Sequence, residues 1–472
     1  MTGQTFARTL AHGVQSLARA DPDLYALLDR EQVRQHETLS MVAAASIADP
    51  SVLVCEASAA GNVTTEGYPG ARYHAGCDIV DEVERLAVAR ARAAFGARYA
   101  NVQPHSGSTA NQVVLCALLE PGDVLLGMDL RAGGHLTHGA AASMSGRFFR
   151  AVPYGLDRTG RIDYDEVSRL SREHRPRLIF CGASAYPRTV DFARFRAIAD
   201  EAGAYLVADI SHIAGLVAAG VHPSPVDVAH VTTTSTYKQL YGPRGGLILM
   251  GRDADRALPS GRTLEQTLQN AVFPYVQGTP RLNTIAAKAR ALAAVATPEF
   301  RLMARRILEL AWHMASRLEA AGHHVLTGGT DTHMVLLDVA GEGLTGRIAE
   351  RALESCGIVV NKNSIPGDPH GPRITSGLRL GTNILALRGM GPGEVARCAD
   401  LVSTVLHRVR PLGSQEYLLD ESVREEVSAE ARDLCRRFPL PDHPLPAGAA
   451  DAYPRSGHGQ RTVIGPVLED AG

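Results

Sequence analysis

Paired cysteines, net charge and long apolar runs are all scarce in this sequence of 472 residues. The seven cysteines are scattered without a Cys-x-x-Cys pair, so we expect reduced thiols, no structural disulfides and no metal site. The formal charge is only −2, which gives no bulk attraction to nucleic acid or to an anionic membrane. The first thirty or so residues carry charges throughout and lack the apolar stretch of a signal peptide or membrane helix. We therefore expect a cytoplasmic protein whose partners are small molecules and further copies of itself.

Apolar periodicity predicts an α/β chain with four segments. Residues 1–44 form an amphipathic helical arm, in which Asp21-Pro22 starts a second helix and the pattern continues to about Val42. Residues 45–310 are interpreted as a large domain with a mostly parallel sheet buried on both faces. Residues 311–441 change to a smaller α+β pattern. Residues 442–472, rich in Pro, Gly and Ala, are expected to be mobile.

Individual elements can be placed within these segments. Residues 78–95 have helical spacing and stop before Gly96, and a long helix is predicted over residues 299–321. Five apolar runs in the large domain are predicted to be strands: 123–129, 177–184, 205–211, 230–236 and 246–251. In the smaller domain, candidate strands lie within 323–329, 333–339 and 357–363, with helices within 344–357 and 391–410.

Lysine is the other scarce residue, with only Lys238, Lys288 and Lys362 in the whole chain. Lys238 ends a β-branched run and precedes a glycine-rich turn, where a side chain from a strand end can project into a cleft. Taken alone, it is more often a surface lysine.

Four further residues indicate what Lys238 could do. Asp209 ends another buried strand, where a carboxylate can keep a pyridine nitrogen protonated, although an isolated Asp there is usually a helix cap. His212 follows it and is equally plausible as a satisfied buried histidine. Gly107 and Ser108 lie where a small-residue loop enters a helix, and helix N-termini bind phosphate. The order of phosphate loop, Asp and Lys along an α/β chain predicts a pyridoxal phosphate site.

From about Leu39 to Pro441 the sequence resembles the serine hydroxymethyltransferase family, through EGYPGARYHAGC, NVQPHSGSTAN, GGHLTHG, ADISHIAGLVAAG, GPRGGLIL, NKNSIPGDP and TSGLRLGT. The resemblance implies the aspartate-aminotransferase type of fold (fold type I), with pyridoxal phosphate as cofactor and tetrahydrofolate as co-substrate. It also implies a homodimer, or a tetramer built from dimers, whose active sites draw residues from both subunits.

The resemblance also assigns roles residue by residue. Lys238 matches the Schiff-base lysine, Asp209 the pyridinium partner, and His135 the histidine stacked on the ring. Arg379 matches the arginine that clamps the substrate carboxylate, a task suited to a planar guanidinium, although an ordinary salt bridge is the alternative. The complete cofactor set is Gly107, Ser108, His135, Ser184, Asp209, His212, Ser235 and Lys238.

Glu66 matches the glutamate that handles protons at the substrate hydroxyl and at the folate, and with Lys238, His135 and Asp209 it completes the expected catalytic set. Breaking the bond between the α and β carbons of a 3-hydroxy amino acid requires loss of the hydroxyl proton. The folate set implied by the family is Glu66, Tyr73, Leu130, Leu136 and Asn363, and the amino-acid set is Thr64, Tyr73, His74 and Arg379.

Five departures from the family pattern surround these matches. A serine expected near the substrate carboxylate is Ala44, for which Ser46 could compensate. An expected tyrosine is Thr64, and the second aromatic of a Tyr-Tyr pair is His74. The residue before the lysine is Tyr237 instead of His. A glycine-rich loop contains Tyr275-Val276, whose side chains must move or fill that loop.

Thr64 removes the volume of a ring beside the substrate, and the freed space could admit a methyl group on the α carbon. The sequence therefore resembles the 2-methylserine branch of the family, which would form D-alanine while its one-carbon unit passes to tetrahydrofolate. The alternatives are an ordinary serine/glycine hydroxymethyltransferase, a folate-independent threonine aldolase or transaldolase, and a catalytically silent relative that acts as a regulatory binding protein.

Overall fold

The computed structural model describes residues 4–443. Its helices are α1 (Gln4–Ala20), α2 (Pro22–Glu37), α3 (Pro50–Glu56), α4 (Asp78–Phe95), α5 (Gly107–Leu118), α6 (Met144–Phe148), α7 (Tyr164–His174), α8 (Phe192–Ala202), α9 (Ala214–Ala218), α10 (Leu264–Asn270), α11 (Leu282–Val295), α12 (Pro298–Ala320), α13 (Gly346–Ser355), α14 (Asn383–Leu387), α15 (Pro392–Arg408) and α16 (Glu421–Arg437). Ala271–Val276 form a kinked turn, which is interrupted by the non-helical backbone of Phe273 (φ −138°, ψ 129°).

The strands are β1 (Leu39–Ser40), β2 (Gly67–Tyr68), β3 (Ala71–Arg72), β4 (Tyr99–Asn101), β5 (Val124–Met128), β6 (Arg150–Tyr154), β7 (Leu178–Cys181), β8 (Tyr205–Asp209), β9 (Val231–Ser235), β10 (Gly246–Met250), β11 (His324–Val325), β12 (Met334–Asp338), β13 (Ile358–Val359), β14 (Asn361–Asn363), β15 (Gly377–Gly381), β16 (Arg410–Pro411) and β17 (Tyr417–Leu418).

The N-terminal arm consists of α1 and α2. The predicted start of the second helix is confirmed, since the side chain of Asp21 accepts a hydrogen bond from the Leu24 N–H (3.1 Å). The predicted continuation to about Val42 is wrong, because the helix ends at Glu37. Leu39 and Met41 are fully buried and alternate with less buried neighbours, a period of two that suits the short strand β1. β1 pairs in parallel with β13.

A seven-stranded sheet in the order β4-β10-β9-β8-β7-β5-β6 organises the first two-thirds of the chain. The pairs formed by β5, β6, β7, β8 and β9 are parallel, and those of β10 with β9 and β4 are antiparallel. All five predicted strand runs are confirmed, as is helix α4, which ends at Gly96 with φ of 63°. Nearly every residue of β7 to β10 is buried, because helices cover both faces. The edge strands β4 and β6 were not predicted.

A smaller antiparallel sheet, β11-β12-β15-β14, follows helix α12. The predicted helices of this region correspond to α13 and α15, whereas the strongly polar α16 was not predicted. The boundaries proposed for the domains stay predictions, and residue 310 lies within α12. The tail predicted to be mobile, residues 442–472, lies outside the described residues apart from Asp442 and His443. Within residues 4–443, no helix combines the length and apolar character needed to span a bilayer.

The chain brings several polar residues to one edge of the large sheet. β8 ends at Asp209, β9 ends at Ser235, and the segment after β7 contains Ser184. Helix α5 begins at the same edge with Gly107. In open α/β sheets, ligands bind in the crevice outside the carboxyl ends of the strands.

Candidate active site

A cavity of about 230 Å³ lies at this edge of the sheet. All eight residues that the family resemblance assigns to the cofactor line it: Gly107, Ser108, His135, Ser184, Asp209, His212, Ser235 and Lys238. They come from positions up to 131 residues apart in the sequence, between Gly107 and Lys238. The fold therefore brings together the complete set predicted for one ligand.

One end of the cavity is formed by the start of helix α5. Ser106 caps the helix, and its side chain accepts a hydrogen bond from the Thr109 N–H (3.0 Å). The N–H groups of Gly107 and Ser108 lie in the first turn of the helix, where no intrahelical carbonyl accepts from them, at the positive end of the helix dipole. A methyl group on Gly107 would lie 3.2 Å from the Ser235 side chain, so a larger residue would crowd this end. The arrangement suits a phosphate group.

Asp209 lies in a buried hydrogen-bond network at the end of β8. Its Oδ2 accepts from Asn111 Nδ2 (2.7 Å) and lies 3.1 Å from His138 Nε2, while Oδ1 accepts from the Ser211 N–H (3.0 Å). Burial alone would raise the pKa of this carboxyl, but the hydrogen bond and charge of His138 hold it well below its ordinary value. Asp209 is thus a fixed negative charge in the cavity wall.

His135 lines the cavity beside this network. Its Nδ1 lies 2.7 Å from the hydroxyl of Thr137, which also accepts from Asn111 Nδ2 (2.8 Å). Burial lowers the pKa of His135 to about 4, so the ring is neutral near pH 7. A neutral imidazole whose Nδ1 is bonded to the Thr137 hydroxyl can present its face to a flat ligand.

Lys238 follows the end of β9 and is almost completely buried. Burial lowers the pKa of its amine to about 8 despite the opposing attraction of Asp209, and Arg379 and Arg244 lower it further. The ring of Tyr237 lies beside it, 5.9 Å from Lys238 Nζ, and stacks under the Arg244 guanidinium at 4.3 Å. A substantial fraction of this amine is therefore neutral, and hence nucleophilic, just above neutral pH.

Arg379 approaches the cavity from β15 of the smaller sheet. Its Nε donates to Asn361 Oδ1 (3.1 Å) and its Nη1 donates to the Ser184 carbonyl. Burial lowers its pKa to about 10, which leaves the guanidinium charged at neutral pH. Arg379 is thus a cation held close to the cavity and bonded to one of its lining residues.

His212 packs against a second histidine. It stacks on His333 with ring centroids 5.7 Å apart, and burial lowers the pKa of both rings.

Two of the other predicted residues, Glu66 and Tyr73, line a separate outer groove of about 530 Å³ together with Phe273–Gly278. Glu66 Oε2 lies 3.5 Å from His74 Nε2, and the Tyr73 ring packs edge-on against Phe273 at 5.7 Å. Thr64 is exposed near these residues. Within one subunit, the predicted proton-handling group and the predicted cofactor residues thus line different pockets.

Three predicted folate residues lie outside both linings. Leu130 and Leu136 are exposed apolar side chains on the turns that flank His135. Asn363 ends β14 and donates to the Ser364 carbonyl (2.6 Å). An exposed leucine pair at the surface beside the cavity leaves apolar area uncovered in the single subunit.

The departures from the family pattern have definite surroundings. Ser46 donates its hydroxyl proton to the Tyr237 carbonyl (2.5 Å), so in this arrangement it does not donate to a substrate carboxylate. Gln277 anchors the altered loop, since its Oε1 accepts from the His105 N–H (3.0 Å) and its Nε2 donates to the Gln103 carbonyl (3.1 Å). Tyr275 beside it points into solvent with 70% exposure.

Sequence reasoning missed the residues that hold the site in place, namely Asn111, Thr137, His138, Arg244 and His333. A signal existed for Asn111, which lies four residues after Gly107 and therefore on the same face of α5. His138 and Thr137 belong to the GGHLTHG stretch that already carried His135.

Among residues 4–443, two clusters have metal-like spacing: His135, His138 and Asp209, and, in the smaller sheet region, His323, Glu342 and His407. The first belongs to the cavity described above. In the second, His323 already bonds Glu342 (2.7 Å) and Ser403 (2.8 Å), and its ring stacks parallel to His407, so their lone pairs do not converge.

The cavity satisfies the requirements of pyridoxal phosphate. The Ser235 hydroxyl and His212 Nδ1 are buried and have no hydrogen-bond partner within residues 4–443, so both can form a hydrogen bond with a polar ligand. Helix α5 offers N–H donors for a phosphate, Asp209 offers a carboxylate for a ring nitrogen, and Lys238 offers an amine for an aldehyde.

Comparison with known proteins shows the family of the chain. The serine hydroxymethyltransferase family model matches residues 17–402. The chain is 50% identical over 426 residues to serine hydroxymethyltransferase 1 of Bordetella parapertussis, covering 90% of this chain and 96% of the relative. It is 48% identical over 425 residues to serine hydroxymethyltransferase of Rhodospirillum centenum, with the same coverage. The chain therefore belongs to the serine hydroxymethyltransferase family of fold type I enzymes, which depend on pyridoxal phosphate and tetrahydrofolate.

Proposed function

We propose that this hydroxymethyltransferase prefers 2-methylserine as donor, releases D-alanine, and passes the one-carbon unit to tetrahydrofolate. The observation that carries the proposal is Thr64, a small exposed side chain two residues before Glu66, which lines the outer groove. A donor with a methyl group on its α carbon has no α hydrogen, so the reaction must begin by cleavage of the bond between the α and β carbons.

The cavity residues bind and orient the cofactor in this proposal. Pyridoxal phosphate, when bound, supplies an electron sink for the charge left on the α carbon. Gly107, Ser108 and Ser235 hold its phosphate, and Asp209 holds a proton on its ring nitrogen. The His135 face orients the ring, and the Lys238 amine provides the nucleophile that anchors it.

Arg379 and Glu66 act on the amino acid. The Arg379 guanidinium is fixed by Asn361 and Ser184 and retains donors for a carboxylate. Glu66 takes the proton from the substrate hydroxyl at a carboxylate oxygen, as a general base. Tyr73, Leu130, Leu136 and Asn363 provide the surface for tetrahydrofolate.

The proposed active unit is a homodimer in which the outer groove of one copy completes the cavity of the other. Two observations support it. Glu66 lines a different pocket from Lys238 within one chain, and exposed aromatics border that pocket, with Tyr73 at 74% and Tyr275 at 70% exposure. Large exposed aromatic side chains are typical of association surfaces.

Mixing two inactive variants tests this arrangement. Lys238→Ala and Glu66→Gln each inactivate their own homodimer, but a mixed dimer contains one site with both native residues. Activity should therefore return after the two variants are unfolded and refolded together. Persistent inactivity of mixed dimers that are shown to form would contradict the shared site.

The donor is tested by initial rates of folate-dependent transfer with 2-methylserine and with L-serine at equal concentrations. A preference for 2-methylserine with formation of D-alanine supports the proposal. A preference for L-serine supports the second candidate, an ordinary serine/glycine enzyme, which is favoured by the names of the two relatives at 50% and 48% identity. Turnover without folate would point to the aldolase alternative.

A further inference from the structure

Lys288 is the most deeply buried cation of the three lysines and lies on helix α11, outside both pockets. Its Nζ donates to the carbonyls of Val102 (2.6 Å), Pro104 (3.0 Å) and Gly246 (3.0 Å). An ammonium group has three donors and no acceptor, so all of its hydrogen bonds go to the backbone. Lys288 thus has a saturated set of contacts and no donor left for a ligand.

The three carbonyls belong to the two segments that form the phosphate end of the cavity. Residues 102–104 lead directly into Ser106 and Gly107 at the start of α5. Gly246 begins β10 and follows Arg244 and Gly245, both of which line the cavity. The two segments also bond each other, since the Gly246 N–H donates to the Pro104 carbonyl (2.9 Å).

Two adjacent glycines allow this close approach. A methyl group on Gly245 would lie 2.3 Å from Lys288 Cε and 2.9 Å from Nζ. A methyl group on Gly246 would lie 2.3 Å from the Ser106 carbonyl oxygen and 3.1 Å from the Gly107 nitrogen. Lys288 therefore lies against one side of this glycine pair, and the N-terminus of α5 lies against the other.

The charge of Lys288 depends on these acceptors. Burial lowers the pKa of its amine to about 7, with Glu84 opposing and Arg281 adding to this effect. Three carbonyl oxygens converging on one nitrogen favour the protonated form, because a neutral amine would turn a lone pair toward one of them.

We propose that Lys288 is a positioning residue that holds residues 102–107 against the turn Arg244–Gly246 and so fixes the N–H groups that bind the cofactor phosphate. This inference rests on the proposed phosphate site at Gly107 and Ser108. Without Lys288, three buried carbonyls lose a donor, and the two segments can separate at the end of the cavity where the phosphate must fit.

The test measures binding of pyridoxine 5′-phosphate and of pyridoxine to full-length apo protein, since neither ligand can react with Lys238. Lys288→Met, which keeps the length and apolar stem, should weaken pyridoxine 5′-phosphate binding by at least tenfold and change pyridoxine binding less than threefold. Lys362→Met is the matched control, because Lys362 pairs with Glu350 near the surface (2.8 Å), and it should alter neither affinity. If Lys288→Met does not fold, Lys288→Gln, which keeps two donors, replaces it.

The native protein separates this inference from the phosphate site on which it rests. If the native protein binds pyridoxine 5′-phosphate more tightly than pyridoxine and the Lys288 variant keeps that difference, the role of Lys288 is wrong and the phosphate site stands. If the native protein binds the two ligands equally, the phosphate site itself is misplaced. Equal losses of both ligands in the Lys288 variant would overturn the positioning role, since they indicate general destabilisation.

Discussion

The cofactor cavity and the outer groove differ in both burial and conservation of the family pattern. Around the cavity, Lys238 and Asp209 are 6% and 8% exposed, and their neighbours are held by networks such as Asn111–Asp209–His138. Along the groove, Tyr73 and Tyr275 are 74% and 70% exposed. The sequence keeps all eight matched cofactor residues, and of the departures Tyr237 lines the cavity, whereas Tyr275 and Val276 line the groove and Thr64 and His74 lie close to Glu66 in the sequence. Buried, mutually bonded residues cannot change singly without loss, whereas a change at an exposed groove residue breaks no such network.

The largest effect should come from Lys238. Lys238→Ala removes the nucleophile and should reduce hydroxymethyl transfer by about 10³-fold or more. Steady-state turnover with saturating cofactor checks it, and Lys362→Ala outside both pockets is the control. Substantial residual turnover would mean that the cavity does not house the chemistry.

Asp209→Asn should have the second-largest effect on turnover. It preserves the shape of the Asn111–His138 network but removes the negative charge. We expect turnover to fall by about 10²- to 10³-fold, the usual range for loss of a preorganised electrostatic group. Cofactor retention after gel filtration should be measured together with turnover. Unchanged turnover would contradict a role for this carboxylate at the ring nitrogen.

Glu66→Gln tests whether the outer groove and the cofactor cavity have separate functions. General acid–base groups contribute about 10²- to 10⁴-fold, so transfer should fall by at least about 10²-fold. The affinity for pyridoxal phosphate should stay at the native value, because Glu66 is proposed to act on the substrate hydroxyl and does not line the cofactor cavity of its own chain. A matching loss of cofactor affinity would erase the functional distinction between the two pockets.

The pH dependence of cofactor uptake gives a smaller effect. Because burial lowers the pKa of Lys238 to about 8, its amine is mostly protonated below that pH and mostly free above it. The rate of pyridoxal phosphate incorporation into apo enzyme should therefore rise about tenfold between pH 7 and 9 and then level off. Pyridoxine 5′-phosphate, which lacks the aldehyde, should not show this midpoint. A rate still rising steeply above pH 10 would mean that Lys238 is not desolvated.

The sequence predicted the five interior strands of the large sheet and the residues that end them, because near-continuous apolar runs and the turn residues after them are local signals. Asp209 and Lys238 could be found in this way, since each follows such a run. His138 could not be linked to Asp209, because the contact joins residues 71 positions apart. Lys288 was noticed only as a rare lysine, since its three carbonyl partners come from segments more than 40 residues away.

The helical arm and the outer groove also contain structure that local sequence patterns could not predict. The amphipathic pattern favoured a helix to about Val42, but tertiary pairing of β1 with β13 ended it at Glu37. The approach of Phe273–Gly278 to Glu66 depends on the path of the chain over two hundred residues and leaves no local pattern.

The central claim, that the exposed groove sets the donor while the buried cavity sets the chemistry, is tested most directly by Thr64→Tyr. The rates with 2-methylserine and L-serine are measured for the native enzyme, for Thr64→Tyr and for Thr64→Val, which keeps the side-chain volume. One steric group in a pocket changes discrimination by about 10- to 200-fold, so Thr64→Tyr should shift the ratio toward L-serine by at least about tenfold. Thr64→Val should leave the ratio nearly unchanged. A Thr64→Tyr enzyme that keeps full activity on 2-methylserine would contradict the account.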